Sequence, residues 1–177
     1  KDFQKTVGLR IDEVIAFWNH HKNLGIKDEK AVEDAIINQM ILLVQSNPIP
    51  LKGVSQTLAY LKKIDIKIGL ATSSPYRLLH AVLSALKIEE YFDFVHSAEK
   101  ESNGKPHPAV YISAAKALSV QPSKCLVIED SFNGIISGKA AKMDVVCIPE
   151  KTHEPNSKMN VADYIFEDME EMLKILK

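Results

Sequence analysis

Three short polar segments of this sequence combine residue types that can hold a phosphate group and a divalent cation. Each follows a short apolar run, directly or after a loop. The runs and segments are Ile66–Ala71 with Thr72–Ser74, Phe92–Val95 with Lys105, and Cys125–Ile128 with Glu129-Asp130. Hydroxyls, a fixed ammonium group and paired carboxylates are groups that phosphoryl-transfer chemistry uses.

The first segment, Thr72–Ser74, offers three hydroxyl groups and several backbone N–H groups at the start of a predicted helix. Such a turn can bind an anion, because N–H groups at a helix N-terminus point outward and carry partial positive charge. Taken alone, the segment is more typical of a serine-rich helix cap without a ligand. The anion site therefore depends on what the other segments supply.

Lys105 lies in the second segment, directly before Pro106, and Pro108 follows shortly after. The two prolines restrict the backbone around the lysine, and Pro108 suits the first turn of the next helix. A lysine held in this way is a fixed positive charge for a phosphate, although most lysines are solvated surface residues. We interpret His107 as a turn residue rather than a general base.

Glu129 and Asp130 form the third segment, at the end of the apolar run Cys125–Ile128. Adjacent carboxylates repel each other and call for a compensating cation. Their oxygens suit Mg²⁺, which retains water ligands and also binds substrate phosphate oxygens. The alternative is that Asp130 only caps the following helix. A Glu-Asp pair after a buried strand, with Gly134 opening the next helix, favours the Mg²⁺ site.

The apolar patterns that must position these segments alternate between strand-like and helix-like. Predicted strands are Ile66–Ala71, Phe92–Val95, Cys125–Ile128, Val145–Ile148 and Tyr164–Phe166, and predicted helices are Val54–Lys63, Leu78–Leu86, Pro108–Leu118, Gly134–Lys142 and Met169–Leu176. This alternation predicts an α/β fold with a Rossmann-like, doubly wound and mainly parallel sheet. Ligands of such sheets bind beyond the carboxyl ends of the strands, where all three segments lie.

The N-terminal part of the chain has a different pattern, with helices and no strand. Helices are predicted over Leu9–Trp18 and from an N-cap at Asp28 to Ser46. The prolines of Asn47-Pro48-Ile49-Pro50 then end the helical pattern. We therefore divide the chain into a small helical module, residues 1–47, and an α/β core, residues 48–177.

The overall composition argues against several functional classes. The formal net charge is −1, and no basic stripe or acidic tail indicates a nucleic-acid or membrane-surface partner. No apolar run approaches the ~20 residues that span a bilayer. Cys125 and Cys147 lie in separate apolar runs and are interpreted as reduced core thiols, which favours the cytoplasm. The polar stretch 150–160 predicts a surface loop.

The order of the segments, hydroxyl then Lys-Pro then Glu-Asp, resembles motifs two to four of the haloacid dehalogenase (HAD) superfamily. The likeness covers nearly the whole chain and points to the β-phosphoglucomutase-like branch, within it to the 2-deoxyglucose-6-phosphatase and hexitol phosphatase group. The residues that carry it are Leu70–Pro75, Ser97–Glu99, Gly104–Pro108, Val110-Tyr111 and Ile128–Gly134, while Gly8–Asp12 with Trp18 resembles the helical cap of that group.

This resemblance implies a Mg²⁺-dependent phosphatase that hydrolyses a small phosphomonoester, with a sugar phosphate as the expected substrate. It implies catalytic roles for Thr72 and Lys105, substrate binding by these two with Arg10, Ser73 and Ser74, and Mg²⁺ binding by Glu129 and Asp130. A phosphosugar mutase of the β-phosphoglucomutase type is the alternative enzyme. The sequence leaves the oligomeric state open, a monomer included.

The family's first motif, Asp-x-Asp-Gly after an N-terminal strand, supplies the aspartate that attacks phosphorus. The 177 residues contain no Asp-x-Asp, and they begin within the resembled cap. We therefore expect the nucleophile and the first strand to lie outside this sequence and the chain alone to be inactive. Because that strand would lie between Ile66–Ala71 and Cys125–Ile128, these two strands should not pair. A binding module that has lost its nucleophile is the non-enzyme alternative.

Overall fold

A computed structural model of the protein describes residues 5–150 and 157–177. In these ranges, helices alternate with short strands, as an α/β fold requires. The helices are α1 (Ile11–Lys22), α2 (Glu29–Ser46), α3 (Val54–Lys63), α4 (Tyr76–Leu86), α5 (Ala109–Ala117), α6 (Phe132–Ala140) and α7 (Met169–Leu176). The strands are β1 (Gly69–Thr72), β2 (Phe94–Ser97), β3 (Leu126–Glu129), β4 (Asp144–Cys147) and β5 (Tyr164–Ile165).

The strands form two parallel sheets rather than one. β1 pairs with β2, while β3, β4 and β5 pair in that order. Within the described ranges no strand pairing links the two sheets, so the prediction that the first and third predicted strands do not pair is confirmed. Thr72 lies opposite Ser97 and Glu129 lies opposite Cys147, so in each sheet the carboxyl ends are aligned.

Most predicted elements are present, with ends displaced by a few residues. Helices α3 and α7 have the predicted bounds. Strand β1 begins at Gly69 rather than Ile66, because the chain before it is bonded differently: the N–H of Ile68 donates to the Asp93 carboxylate at 2.8 Å. A side chain thus substitutes for a neighbouring strand at this edge, which apolar patterning alone does not reveal.

Two buried apolar clusters hold the sheets to their helices. The cluster beside β1 contains Leu58, Ile68, Leu79, Leu83 and Ile88. The cluster beside β3 and β4 includes Val110, Ala115, Val127, Ile135 and Val145. Helix α5 packs against β1, β2 and α6, so it connects the elements of both sheets. Along β3 the burial alternates: Val127 is buried, whereas Leu126 and Ile128 are exposed.

The N-terminal helices pack on the core through α2, which contacts both α1 and α4. Asp28 caps α2 as predicted, its carboxylate accepting the N–H of Ala31 at 2.9 Å. Across the contact, the Arg77 guanidinium of α4 donates to Asp34 at 2.7 Å and to Asn38 at 3.1 Å, both on α2. Exposed ion pairs of this kind contribute little to stability, so these contacts orient α2 relative to α4 more than they hold the two helices together.

Three further expectations concern the membrane, the cysteines and the loop 150–160. No helix in the described part of the chain has the length and apolar character needed to cross a membrane.

Cys147 is buried, Cys125 is half-buried, and both are free thiols. Burial, followed by nearby negative charge, raises the pKa of Cys147 to about 11. The predicted loop falls mainly on 151–156, outside the described residues, and 157–161 form a 3₁₀ turn.

Candidate active site

Lys105 lies in the loop between β2 and α5 and is buried, with 6% of its surface exposed. Its ammonium donates to Glu129 Oε1 at 2.5 Å and to the Ala71 carbonyl at 3.4 Å. It also lies 4.8 Å from the ring centroid of Tyr111. Glu129 ends β3 and Ala71 lies near the end of β1, so one charged group connects the carboxyl ends of the two sheets.

Glu129 is buried at the end of β3, and its carboxylate accepts hydrogen bonds on both oxygens. Oε1 accepts from Lys105 and from the Tyr111 hydroxyl. Oε2 accepts from the Ser131 hydroxyl at 3.0 Å and from the backbone N–H groups of Asp130 at 3.2 Å and Ser131 at 3.3 Å. Burial acts to raise the pKa of Glu129, but the Lys105 charge and these bonds outweigh it and hold that pKa below its ordinary value.

Asp130 follows Glu129 but is exposed to solvent at the cleft. Partial loss of hydration, and then the adjacent charge of Glu129, raise the pKa of the Asp130 carboxyl. Among residues 5–150 and 157–177, no cluster of three or more His, Cys, Asp or Glu side chains could hold a metal ion. Mg²⁺ is often bound by only one or two carboxylates, with water and phosphate completing its shell, so Asp130 fits a Mg²⁺ ligand.

The hydroxyl segment forms a structured turn at the end of β1. The Thr72 hydroxyl accepts the N–H of Ser74 at 3.1 Å. The Ser73 hydroxyl donates to the carbonyl of Gly8 at 2.8 Å, which ties the turn to the N-terminal part of the chain. Thr72 directly follows the residue whose carbonyl Lys105 contacts. Lys105 therefore contacts both Glu129 and the residue that precedes Thr72, so the ends of β1 and β3 lie on either side of its ammonium.

The N-terminus of α4, which follows this turn, already has an anionic partner. The backbone N–H of Tyr76, the first residue of α4, donates to the Glu99 carboxylate at 2.8 Å. A carboxylate at this position satisfies an N–H that an open helix end would offer to a ligand. The N–H of Tyr76 is therefore not available to an anion bound at Thr72–Ser74.

Arg10 lies directly before α1, and its guanidinium contacts the loop after β2. It donates to the carbonyls of Glu101 at 3.0 Å and Ala98 at 3.4 Å. It also forms ion pairs with Asp12 at 3.2 Å and Glu13 at 3.4 Å. The structure thus gives Arg10 a set of protein partners that joins the N-terminal helices to the core, while its role in substrate binding stays a prediction.

Three residues to which the sequence analysis assigned no role surround Glu129. Burial, and then the negative charge of Glu129, raise the pKa of Tyr111 well above its ordinary value, so its hydroxyl remains a hydrogen-bond donor. The Ser131 hydroxyl also accepts the N–H of Gly134 at 3.0 Å and so caps α6, which starts before the predicted position. A Cβ at Gly134 would come within 2.0 Å of the Glu129 carboxyl, so only glycine fits there. The sequence feature that could have indicated this cluster is Tyr111 itself, which lies in the first turn of the predicted helix Pro108–Leu118 and so near the end of the sheet.

A cavity of about 540 Å³ opens beside this cluster, between α1 and the loop before α5. Leu9 and Glu13 line one side, and residues 103–108 with Ile136 line the other. His107 lies in the loop and its Nδ1 accepts the N–H of Ala109 at 3.3 Å, so its predicted role as a turn residue is confirmed. The cavity has the size of a typical small-molecule site.

Comparison with known proteins gives consistent matches. A family model described as haloacid dehalogenase-like hydrolase matches residues 2–142. Hexitol phosphatase B of Escherichia coli K12 is 34% identical over 167 residues, which cover 94% of this chain and 75% of that protein. A Thermotoga maritima protein named phosphorylated carbohydrates phosphatase is 32% identical over 136 residues, covering 76% of this chain and 61% of that protein. The solved structure of a β-phosphoglucomutase from Clostridium difficile matches with a TM-score of 0.77 at 25% identity, covering 94% of this chain and 74% of that chain.

Proposed function

This chain belongs to the haloacid dehalogenase-like hydrolases, in their β-phosphoglucomutase-like branch of phosphoric monoester hydrolases, and we propose that it serves Mg²⁺-dependent hydrolysis of a small phosphorylated metabolite. We propose a sugar phosphate as the substrate. The names of two relatives, a hexitol phosphatase and a phosphatase of phosphorylated carbohydrates, support this substrate class. The cavity beside Lys105 also has a volume that suits a small ligand.

The charges of the cleft support a divalent cation. Glu129 and Asp130 supply two negative charges and Lys105 supplies one positive charge, so the cluster carries a net charge of −1. This sign repels a phosphomonoester dianion, and a divalent cation reverses it. We propose that Asp130 binds Mg²⁺ directly, because direct binding by Glu129 would displace one of the donors that now engage its oxygens. Bound Mg²⁺ supplies charge neutralisation on the phosphoryl oxygens.

Lys105 and Thr72 are proposed to bind the phosphoryl group that is transferred. Lys105 is held by Glu129 and by a backbone carbonyl, so its ammonium is fixed before the substrate arrives. A fixed charge of this kind stabilises the transition state more than a mobile one, because the site does not reorganise during the reaction. Ser73 and Ser74 are the neighbouring candidates for phosphate binding, and Arg10 is the candidate from the N-terminal helices.

The nucleophile is proposed to be an aspartate outside the 177 residues, since they contain no Asp-x-Asp. Its carboxylate would attack phosphorus and displace the alcohol, whose oxygen would take a proton from the second aspartate of the motif. Water would then hydrolyse the aspartyl-phosphate to inorganic phosphate. The separation of β1 from β3 supports this proposal, because in this family's fold the nucleophile strand would pair with both.

The observation that carries the proposal is the Lys105–Glu129 contact of 2.5 Å beside Asp130 and the end of β1. The test is to assay phosphate release by the complete protein from hexitol phosphates, 2-deoxyglucose 6-phosphate and other sugar phosphates, with and without Mg²⁺. We expect release only with the metal and loss of release in Lys105→Ala. Metal-independent release, or none from any small phosphomonoester, would contradict the proposal.

A mutase is the second candidate, and the structural match to a β-phosphoglucomutase favours considering it. A mutase returns the phosphoryl group to a sugar hydroxyl, whereas a phosphatase transfers it to water. Supplying β-glucose 1-phosphate with a catalytic amount of β-glucose 1,6-bisphosphate distinguishes them. Conversion to glucose 6-phosphate without phosphate release indicates a mutase. Reading the encoded sequence that precedes Lys1 tests the binding-module alternative, which an Asp-x-Asp-Gly there would exclude.

Two further proposals concern organisation and location. We propose that α1 and α2 form part of a cap over the α/β core, with the division near Asn47-Pro48, since Arg10 and Arg77 join the two parts by hydrogen bonds. We propose a cytoplasmic location, which the free thiols of Cys125 and Cys147 support.

A further inference from the structure

The segment Val7–Arg10, here named the crossing segment, contacts the loops after β1 and β2 and the first turn of α6, which follows β3. The three strand ends concerned are those that precede the hydroxyl, lysine and carboxylate groups of the candidate site. The three contacts are Ser73 Oγ to the Gly8 carbonyl at 2.8 Å, Arg10 to the Glu101 carbonyl at 3.0 Å, and Asn133 Nδ2 to the Val7 carbonyl at 2.8 Å.

The crossing segment also lies in close contact with the start of α6. Gly8 has a φ of +85°, and a Cβ added to it would lie 2.6 Å from Ser131 Oγ and 3.3 Å from the Asn133 Cβ. Both the left-handed backbone and the short distance to Ser131 therefore require glycine. The carbonyls of the consecutive residues Val7 and Gly8 accept from Asn133 on α6 and from Ser73 after β1. The segment therefore bridges the parts of the chain that follow β3 and β1.

We propose that Asn133, together with Ser73, is a positioning residue that holds the crossing segment over the cleft when substrate is bound. The inference rests on the proposed phosphatase function for its effect on turnover, but not for the contact itself. The acceptors in these two bonds are the backbone carbonyls of Val7 and Gly8, which substitutions leave in place. The Asn133 and Ser73 side chains therefore determine how strongly the crossing segment is held. A single hydrogen bond of this type changes an equilibrium by a few-fold to about tenfold.

The place of Asn133 in α6 separates this role from helix stability. Ser131, not Asn133, is the N-cap of α6, and its hydroxyl accepts the N–H of Gly134. The Asn133 amide instead donates to a residue 126 positions away. Removing that amide therefore releases the crossing segment without uncapping α6.

The first readout is amide hydrogen exchange of residues 6–10 in the complete protein. We expect Asn133→Ala to accelerate exchange there by about three- to tenfold, the range set by one hydrogen bond. Ser73→Ala should do the same, and Ser73→Thr, which keeps the hydroxyl, should restore protection. Asn38→Ala is the matched control, because the Asn38 amide is exposed on α2 and accepts from Arg77. Unchanged exchange in Asn133→Ala, or an equal change in Asn38→Ala, would overturn the proposal.

The second readout uses Trp18, the single tryptophan among the 177 residues, whose Nε1 donates to Thr6 Oγ1 at 3.1 Å beside the crossing segment. Its fluorescence should report closure when Mg²⁺ and inorganic phosphate are added, and Asn133→Ala should reduce that response. With a sugar phosphate, Asn133→Ala should raise KM several-fold, because weaker closure lowers the apparent affinity for the ligand. If no sugar phosphate is hydrolysed, the proposed function fails, and hydrogen exchange still decides whether Asn133 holds the segment.

Discussion

The Lys105 ammonium donates to the Glu129 carboxylate at 2.5 Å, and the two side chains are only 7% and 6% exposed. The two residues come from different parts of the fold, since Lys105 lies in the loop after β2 of one sheet and Glu129 ends β3 of the other. This pair therefore fixes the relative position of the sheets as well as the charge of the site. A buried pair of this kind depends on both partners, because either charge left alone in the interior is strongly unfavourable.

Replacing Lys105 with alanine leaves the Glu129 charge buried without a cation. We expect the free energy of unfolding to fall by about 3–5 kcal/mol, and kcat to fall along with substrate affinity, because charge accumulates on the phosphoryl oxygens in the transition state. Urea unfolding followed by circular dichroism measures the stability. Lys139→Ala is the control, since Lys139 pairs with Asp163 at the surface, and an equal loss in both variants would contradict the argument.

Replacing Asp130 with asparagine removes a formal charge from the proposed Mg²⁺ site while keeping its size. We expect lower turnover at fixed Mg²⁺ and a higher Mg²⁺ concentration for half-maximal activity, because a neutral amide oxygen is a weaker ligand for a hard cation. A Mg²⁺ titration of phosphate release measures both. Asp144→Asn, an exposed substitution at the start of β4, should leave the titration curve unchanged. A curve that is the same for Asp130→Asn as for the unchanged protein would refute the assignment.

Replacing Tyr111 with phenylalanine removes the hydroxyl donor to Glu129 and keeps the ring near Lys105. We expect a stability loss of about 1.5–3 kcal/mol, the usual range for a hydrogen bond to a charged group, and a several-fold decrease in kcat, because Lys105 loses part of its support. Tyr60→Phe is the matched control, since the Tyr60 hydroxyl donates to an exposed carbonyl near the C-terminus. Comparable effects of the two substitutions would show that the Tyr111 hydroxyl has no special role.

Asp93 should make the stability of the β1–β2 sheet pH-dependent. The N–H of Ile68 at 2.8 Å and the ammonium of Lys62 at 3.0 Å lower the pKa of Asp93. A lowered pKa in the folded state contributes stability above the unfolded-state value of about 3.9, and that stability is lost as the pH falls through the folded-state pKa.

Asp93→Asn should accordingly lower the thermal unfolding midpoint at neutral pH, and the difference from the unchanged protein should shrink as the pH falls below about 3.9. Differential scanning calorimetry across this range provides the measurement, with Asp144→Asn as a control of the same charge change. A difference that stays constant with pH would indicate that the Asp93 charge does not support the fold. Asp163 repeats this arrangement before β5, where it accepts the N–H of Val145 at 2.7 Å.

Local patterns in the sequence predicted the α/β character, both α3 and α7 with their bounds, and the grouping of Lys105 with Glu129. They could do so because helical periodicity and apolar runs record which face of each element is buried. The order of strand ends then places the polar segments together, since ligand sites of parallel sheets lie at the carboxyl edge. Family motifs supplied the chemistry expected at that edge.

Patterns did not predict the partners of individual side chains. Mg²⁺ binding by Glu129 stays a prediction, and the structure adds that both its oxygens accept hydrogen bonds from Lys105, Tyr111, Ser131 and the following N–H groups. Asn133 received no role, although its amide contacts the crossing segment. Strand β1 began later than predicted because the Asp93 side chain replaced a strand partner.

The sequence by itself therefore determined the fold class, the order of the chemical groups and the edge of the sheet where they meet. These properties depend on local backbone preference and burial, which neighbouring residues encode. Only the tertiary structure decided that Lys105 and Glu129 form a buried pair, that Asp130 is the carboxylate left to solvent, and that Asn133 bonds to Val7. Such contacts join residues 24 and 126 positions apart. Their geometry depends on how whole elements pack together, which no local pattern contains.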